Sequence, residues 1–260
     1  MINFLENIKN IIDFKIRKST KFSRKNYSEK NEPKYTIFKT LEELERENQL
    51  LEKYNLIEFK NNSTKSNYFE NLYYLDILDK YLKVEFQGIL NVLDIGSKNW
   101  SYVKSEYFFF QKKCNKLILD GIELDSHRLY PNLYSRKEVA NFHIKHLPNT
   151  TYIENDFLKN NKKYDYIIWI LPFIKKYPHL KWGLPLEYFK PNEMLQHAYS
   201  SLNENGQILI INQGKEEFEI QKQLCKTLKI NIREEHKIET TFKHFKMERY
   251  IINIKKERLD

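Results

Sequence analysis

The chain has 260 residues, of which 41 % are hydrophobic and 15 % aromatic, enough for one domain with a substantial core and an appended segment. Its 44 basic residues exceed 35 acidic ones, giving a net charge of +9; that balance could attract nucleic acid, an anionic membrane or an acidic substrate, although the chain is rich in Lys, Asn and Ile throughout, a bias that A/T-rich coding produces in any protein. Cys114 and Cys225 stand far apart without a Cys-x-x-Cys pair, and no run approaches the roughly 20 apolar residues that span a bilayer, so a disulfide framework and a transmembrane segment are not expected and a cytoplasmic location is.

At the start, Ile2, Leu5, Ile8, Ile12 and Ile16 recur at helical spacing, which predicts an amphipathic helix over residues 2–17. Its polar face ends in Lys15, Arg17 and Lys18. A basic helix of this kind can lie on a membrane surface; the expectation here is that its apolar stripe packs on the chain's own domain. Residues 18–34 are polar and basic and read as a loop. Thr40 and Glu43 form a capping-box pattern that opens a helix LEELERENQLLEKY, and NYFENLYYLDILDKYL gives another over 67–82. Residues 1–85 are therefore expected to form a helical extension or cap, and residues 86–260 the main domain.

From residue 89 short apolar runs alternate with helical or loop segments. ILNVLDI (89–95), KLILDGIEL (116–124), TYIEND (151–156), YDYIIWIL (164–171) and QILIIN (207–212) read as five strands. Their apolar runs are continuous rather than alternating, as in strands covered on both faces. MLQHAYSSL is a helix with Gly206 marking its exit, and KEEFEIQKQLCKTLK is another. KINIREEHKIE and ERYIINIKK then suggest an antiparallel pair. Five strand-helix units followed by this pair predict an α/β doubly wound, mostly parallel open sheet.

In such a sheet the ligand crevice lies beyond the C-terminal strand ends. Strands one to three exit through acids, Asp94, Glu123 and Asp156, at sequence positions suited to holding a nucleoside. A carboxylate after strand two can accept both hydroxyls of a ribose, and one after strand three can accept from an adenine amino group. Gly96 permits close backbone approach.

VLDIGSKNW, DGIELD, IENDFL and NENGQILIIN together resemble the class I S-adenosylmethionine-dependent methyltransferases over roughly residues 89–256. That resemblance implies a Rossmann-like domain whose seven-stranded sheet has an antiparallel last strand, and S-adenosylmethionine as the cofactor. It implies that Asp94 and Gly96 border the methionine part, that Glu123 holds the ribose, and that Asp156 and Phe157 hold the adenine. Ser97, Lys98, Leu124 and Trp169 complete the candidate cofactor set. The family's first motif carries acid-x-Gly-x-Gly-x-Gly, but here Lys98 and Trp100 stand at the later glycine positions. Lys98 could pair with the cofactor carboxylate and Trp100 pack beneath the loop, or both could point outward.

The strand-four exit reads Ile170-Leu171-Pro172-Phe173, without the polar residue that amino-group methyltransferases of nucleobases place there. The loop that follows mixes Lys175, Lys176, His179 and Lys181 with Tyr177 and Trp182, a combination that suits an anionic or aromatic acceptor. Candidate acceptor-binding residues are Pro172, Phe173, His179, Lys181, Trp182 and Asn212, with His179 and His236 as candidate bases. No catalytic residue is assigned, and His143-x-x-His146 lacks the further ligands of a metal site. The expected activity is methyl transfer to a small-molecule acceptor. The alternatives are an RNA methyltransferase of transfer-RNA type, favoured by the basic loops 17–34 and 175–181, and a catalytically silent binding protein; DNA is not expected as a partner.

Overall fold

The computed structural model describes residues 2–34, 40–84, 88–242 and 245–257; the expected boundary at 85/86 lies outside them. Helix α1 (Ile2–Thr20) outruns the predicted 2–17 because Ser19 and Thr20 hydroxyls donate back to the Ile16 carbonyl. Helix α2 (Leu41–Tyr54) starts at Thr40, whose hydroxyl accepts from Glu43 N while the Glu43 carboxylate accepts from Thr40 N. Helices α3 (Ile57–Asn61) and α4 (Lys65–Tyr81) follow, the latter capped by Thr64.

Seven strands form one sheet: β1 (Ile89–Ile95), β2 (Lys116–Glu123), β3 (Thr150–Glu154), β4 (Tyr164–Ile170), β5 (Leu202–Gln213), β6 (Ile232–Lys237) and β7 (Arg249–Lys255). Their order is β3-β2-β1-β4-β5-β7-β6. The first five are parallel, and β7 runs antiparallel between β5 and β6. Strand β5 begins at Leu202, earlier than the predicted 207, so Gly206 lies inside it rather than at a helix exit. A Cβ on Gly206 would stand 2.9 Å from the Asn203 carbonyl oxygen, which is why a glycine occupies this bend.

Alternate strand residues feed two cores. Leu90 and Val92 of β1 face α4 and α5 (Val103–Gln111), packing with Tyr68, Leu72 and Phe110. Leu93 and Ile95 face the opposite layer, α8 (Pro191–Ser200) and α9 (Gly214–Thr227), through Leu195 and Phe218. Covering both faces explains the unbroken apolar runs. Helix α6 (Arg136–Ile144) flanks β3, and α7 (Lys176–Lys181) replaces the loop expected over 175–181.

One expectation is reversed. The α1 stripe does not pack on the domain: Leu5, Ile8, Ile12 and Ile16 are between 40 % and 63 % exposed, whereas Asn10 and Phe14 are buried. The face of α1 that docks is mixed: Asn10 donates to the Leu180 and Leu184 carbonyls, Arg17 pairs with the Asp125 carboxylate and Phe14 packs on the Tyr188 ring, so these positions and not the stripe turn to the domain.

Candidate functional site

A cavity of about 520 Å³ opens at the C-terminal ends of β1, β2 and β4. On one side it is walled by the loops after β1, β2 and β3, and on the other by residues 169–191. Glu123, Asp156 and Gly96 all line it, Glu123 standing at the end of the strand between those that lead to the other two, and Ile95 and Ile122 add apolar lining.

The loop after β1 keeps a glycine-type backbone at three positions, only the first of which is glycine. Gly96, Lys98 and Trp100 all have positive φ, +73°, 56° and 46°. Non-glycine residues in this region are held there by their surroundings. Gly96 N donates to the Ile122 carbonyl at 2.9 Å, and a Cβ on Gly96 would meet open space, so its conformation and not crowding calls for glycine. Lys98 N donates to Glu123 Oε2 at 2.9 Å, and the Lys98 carbonyl accepts from Tyr152 OH. Trp100 is fully buried, donates to Glu106 Oε2 at 2.9 Å, and lies flat against Gly121 of β2, where any Cβ would fall within 2.8 Å of its ring. From α4, the Asn67 and Asn71 side-chain amides donate to the Ser101 carbonyl, and Glu70 accepts from Ser101 Oγ at 2.6 Å. Helix α4 thus shapes this loop.

Glu123 is nearly buried and accepts three hydrogen bonds: from Lys98 N, from Asp125 N at 2.7 Å and from Arg136 Nη1 at 3.1 Å. Two carboxylate oxygens offer about four acceptor sites, which leaves capacity for one further donor from a ligand. Asp156 caps the turn Phe157–Lys159 by accepting from Leu158 N through Oδ1. Phe157, Leu158 and Trp169 add an apolar wall beside it, and Leu124 also borders the cavity.

Beyond β4, Leu171 adopts φ 55° and donates its N–H to the Ile211 carbonyl at 2.8 Å, turning Pro172 and Phe173 into the cavity. Trp182 closes the mouth, with Lys98 Nζ 5.1 Å from its ring centroid and the Arg136 guanidinium 5.6 Å from it. Burial lowers the Lys98 pKa, and neighbouring Arg136 adds to the fall. His179 is buried, with Nε2 donating to the Pro185 carbonyl at 2.8 Å; burial also lowers its pKa, so the ring is neutral with its lone pair on Nδ1.

Several predicted positions do not reach the cavity wall. Asp94 lies buried beneath it, accepting from Tyr102 OH at 2.8 Å; burial, reinforced by the nearby Glu123 charge, holds its carboxyl well above the ordinary range. Ser97 is buried behind the same loop. Lys181 points to α1 and pairs with Glu6 at 3.0 Å. Asn212 is buried within β5, because the strand's alternation turns the neighbouring Gln213 to the cavity instead. His236 sits exposed on β6 beside the Tyr81 ring. Among the described residues, no three His, Cys, Asp or Glu side chains form a metal-ligand group.

Other residues were missed from sequence. Glu70 and Tyr74 of α4, Glu217 of α9 and Arg249 of β7 line the cavity, contributed from both ends of the chain. Burial raises the pKa of Glu70 and of Glu217, the latter while accepting from Gln213 N. The available signal for Glu217 was its place at the start of α9, just past a strand exit; nothing local distinguished Glu70.

No family model and no curated protein matches the sequence. Among solved structures, a Listeria monocytogenes protein named as a candidate class I S-adenosylmethionine-dependent methyltransferase superposes with a TM-score of 0.50 at 15 % identity, covering 84 % of this chain and 69 % of that one. A methyltransferase from Pyrococcus furiosus gives 0.49 at 18 % identity, over 74 % of this chain and 82 % of the other. TrmN from Thermus thermophilus gives 0.48 at 14 % identity, and this chain spans only 47 % of its length while 70 % of this chain is covered. The seven-stranded sheet with its antiparallel last strand, together with the first of these likenesses, shows that the chain has the fold of the class I S-adenosylmethionine-dependent methyltransferases.

Proposed function

We propose that the chain binds S-adenosylmethionine in this cavity and transfers its methyl group to a small anionic or aromatic acceptor. The observation that carries the proposal is that Glu123 and Asp156, from the exits of β2 and β3, line the same cavity as Gly96 at the strand rim. In this reading the spare acceptor site of Glu123 takes a ribose hydroxyl, Asp156 and Phe157 border the adenine, and Gly96 with Lys98 borders the methionine part. Asp94 acts from beneath by fixing Tyr102, which itself lines the cavity.

S-adenosylmethionine brings a methyl already activated on a sulfonium. What remains for the protein is to align the acceptor with that methyl and exclude water. Pro172, Phe173 and Trp182 narrow the mouth, and His179 Nδ1 is available to take a proton from an acceptor. Residues 1–85 serve as the cap: α4 supplies Glu70 and Tyr74, and α1 is fastened to the 180–186 backbone. A small acceptor is favoured over RNA because two cations of the basic segment are engaged internally, Lys175 with Glu216 and Lys181 with Glu6.

Isothermal titration with S-adenosylmethionine and with S-adenosylhomocysteine tests the reading. The intact chain should release heat with both, and Glu123→Gln should weaken affinity by about tenfold or more, the loss of one charge-assisted hydrogen bond. Absence of binding by the intact chain overturns the proposal. Binding of a transfer RNA whose affinity falls steeply with salt would replace the small acceptor with RNA.

A further inference from the structure

We propose that α1 lies on the surface of an anionic lipid bilayer through its outward apolar stripe. Phe4, Leu5, Ile8, Ile12 and Ile16 are between 40 % and 67 % exposed, and helical geometry sets Leu5, Ile8, Ile12 and Ile16 opposite Asn10, Phe14 and Arg17. The opposite face is locked. Asn10 Nδ2 donates to the Leu180 and Leu184 carbonyls at 2.8 and 3.3 Å, Asn7 Oδ1 accepts from Leu186 N at 2.8 Å, and Arg17 grips Asp125 through two 3.0 Å bonds. The stripe is therefore presented by a fixed helix, and no rolling of α1 could bury it without breaking these bonds.

Charge selects the occupant. Lys9 and Lys15 border the stripe, both are exposed, and neither has an ion-pair partner among the described residues. The acids of the helix lie toward the domain: Glu6 is paired with Lys181, and Asp13 is half-buried. An apolar face edged by lysines is the pattern of a helix lying in a bilayer interface, with the side chains immersed and the ammonium groups at anionic headgroups. A second copy of the same face would bring Lys9 and Lys15 toward their own counterparts, on a chain already at +9. RNA would have little to use here, because base stacking needs aromatic or guanidinium planes and Phe4 is the one aromatic of the stripe. Among the described residues no helix is long and apolar enough to cross a membrane, so the contact is interfacial.

The test is flotation of the full chain with vesicles of phosphatidylcholine alone and with about 30 % phosphatidylglycerol. The chain should float with the anionic vesicles. The double variant Ile8→Glu/Ile12→Glu should lower the partition coefficient by about tenfold or more, while Ile8→Leu/Ile12→Leu should retain it. Lys9→Glu/Lys15→Glu should cut binding severalfold on anionic vesicles only. All these positions are exposed, so an unchanged thermal midpoint confirms that each variant is folded. Failure of the intact chain to float, or equal flotation of the Ile8→Glu/Ile12→Glu variant, overturns the proposal. So does sedimentation equilibrium showing a dimer that this variant dissolves, or RNA binding that Lys9→Glu/Lys15→Glu abolishes while flotation is unchanged.

Discussion

Gly121→Ala should destabilise the protein through one contact, and a second substitution should reverse the sign. A Cβ at Gly121 would stand 2.7 Å from Trp100 Cε3, 2.7 Å from Cζ3 and 2.8 Å from Cδ2. The ring cannot retreat easily: it is fully buried, and its Nε1 is tied to Glu106 at 2.9 Å. Overpacking of this kind costs about 1–3 kcal/mol. Against it stands about 0.5–1 kcal/mol gained when a strand glycine becomes alanine. The net expectation is a loss of about 1–2 kcal/mol in urea unfolding followed by circular dichroism. In a Trp100→Ala background all three of these ring atoms are gone, so Gly121→Ala should be neutral or stabilising there. The coupling between the two sites should then be the overpacking cost itself, about 1–3 kcal/mol. Equal penalties in the two backgrounds would refute the claim that β2 carries a glycine to house Trp100.

Lys98→Gly should be tolerated or slightly stabilising, because glycine removes the roughly 1–2 kcal/mol cost of a left-handed backbone, whereas Lys98→Val should destabilise by about that much; thermal melts of both variants decide it. Burial raises the pKa of Asp94 and of Glu106, so the folded chain holds protons that the unfolded chain releases above its ordinary carboxylate range. Their stabilisation is complete below that range and declines as pH rises, by about 1.4 kcal/mol per pH unit for each proton involved, and Asp94→Asn should flatten this slope in urea unfolding. His143 is the opposite case, lowered to about 3 by burial and by Lys104. Stability present above the unfolded histidine value of 6.5 should fall as pH drops toward 3, and His143→Phe should remove that portion of the acid loss. Arg17→Met breaks the paired hydrogen bonds to Asp125 and the bond to the Gly183 carbonyl, so amide exchange within α1 should accelerate by tenfold or more, corresponding to at least about 1.4 kcal/mol, while β1 remains protected.

The sheet and its ligand rim were legible in the amino-acid pattern alone. Five continuous apolar runs fix strands covered on both faces, and the backbone direction that follows puts Gly96, Glu123 and Asp156 at one set of strand ends. Chain-local chemistry was equally legible: Thr40 and Glu43 cap their helix from three residues apart, as their types require. The remaining features depend on which surfaces meet in the folded molecule. Periodicity established that α1 has an apolar stripe but not which way it faces; the carbonyls, the carboxylate and the Tyr188 ring that its other face encounters turned the stripe outward. A strand-end acid can sit in a cavity or under it, and the hydroxyl of Tyr102 with the buried ring of Trp100 placed Asp94 underneath. Glu70 and Arg249 come from segments far apart in sequence, and a side chain's distance along the chain carries no information about which cavity wall it completes. That wall forms only when two separately amphipathic layers close on the same sheet, which is a property of the packed molecule.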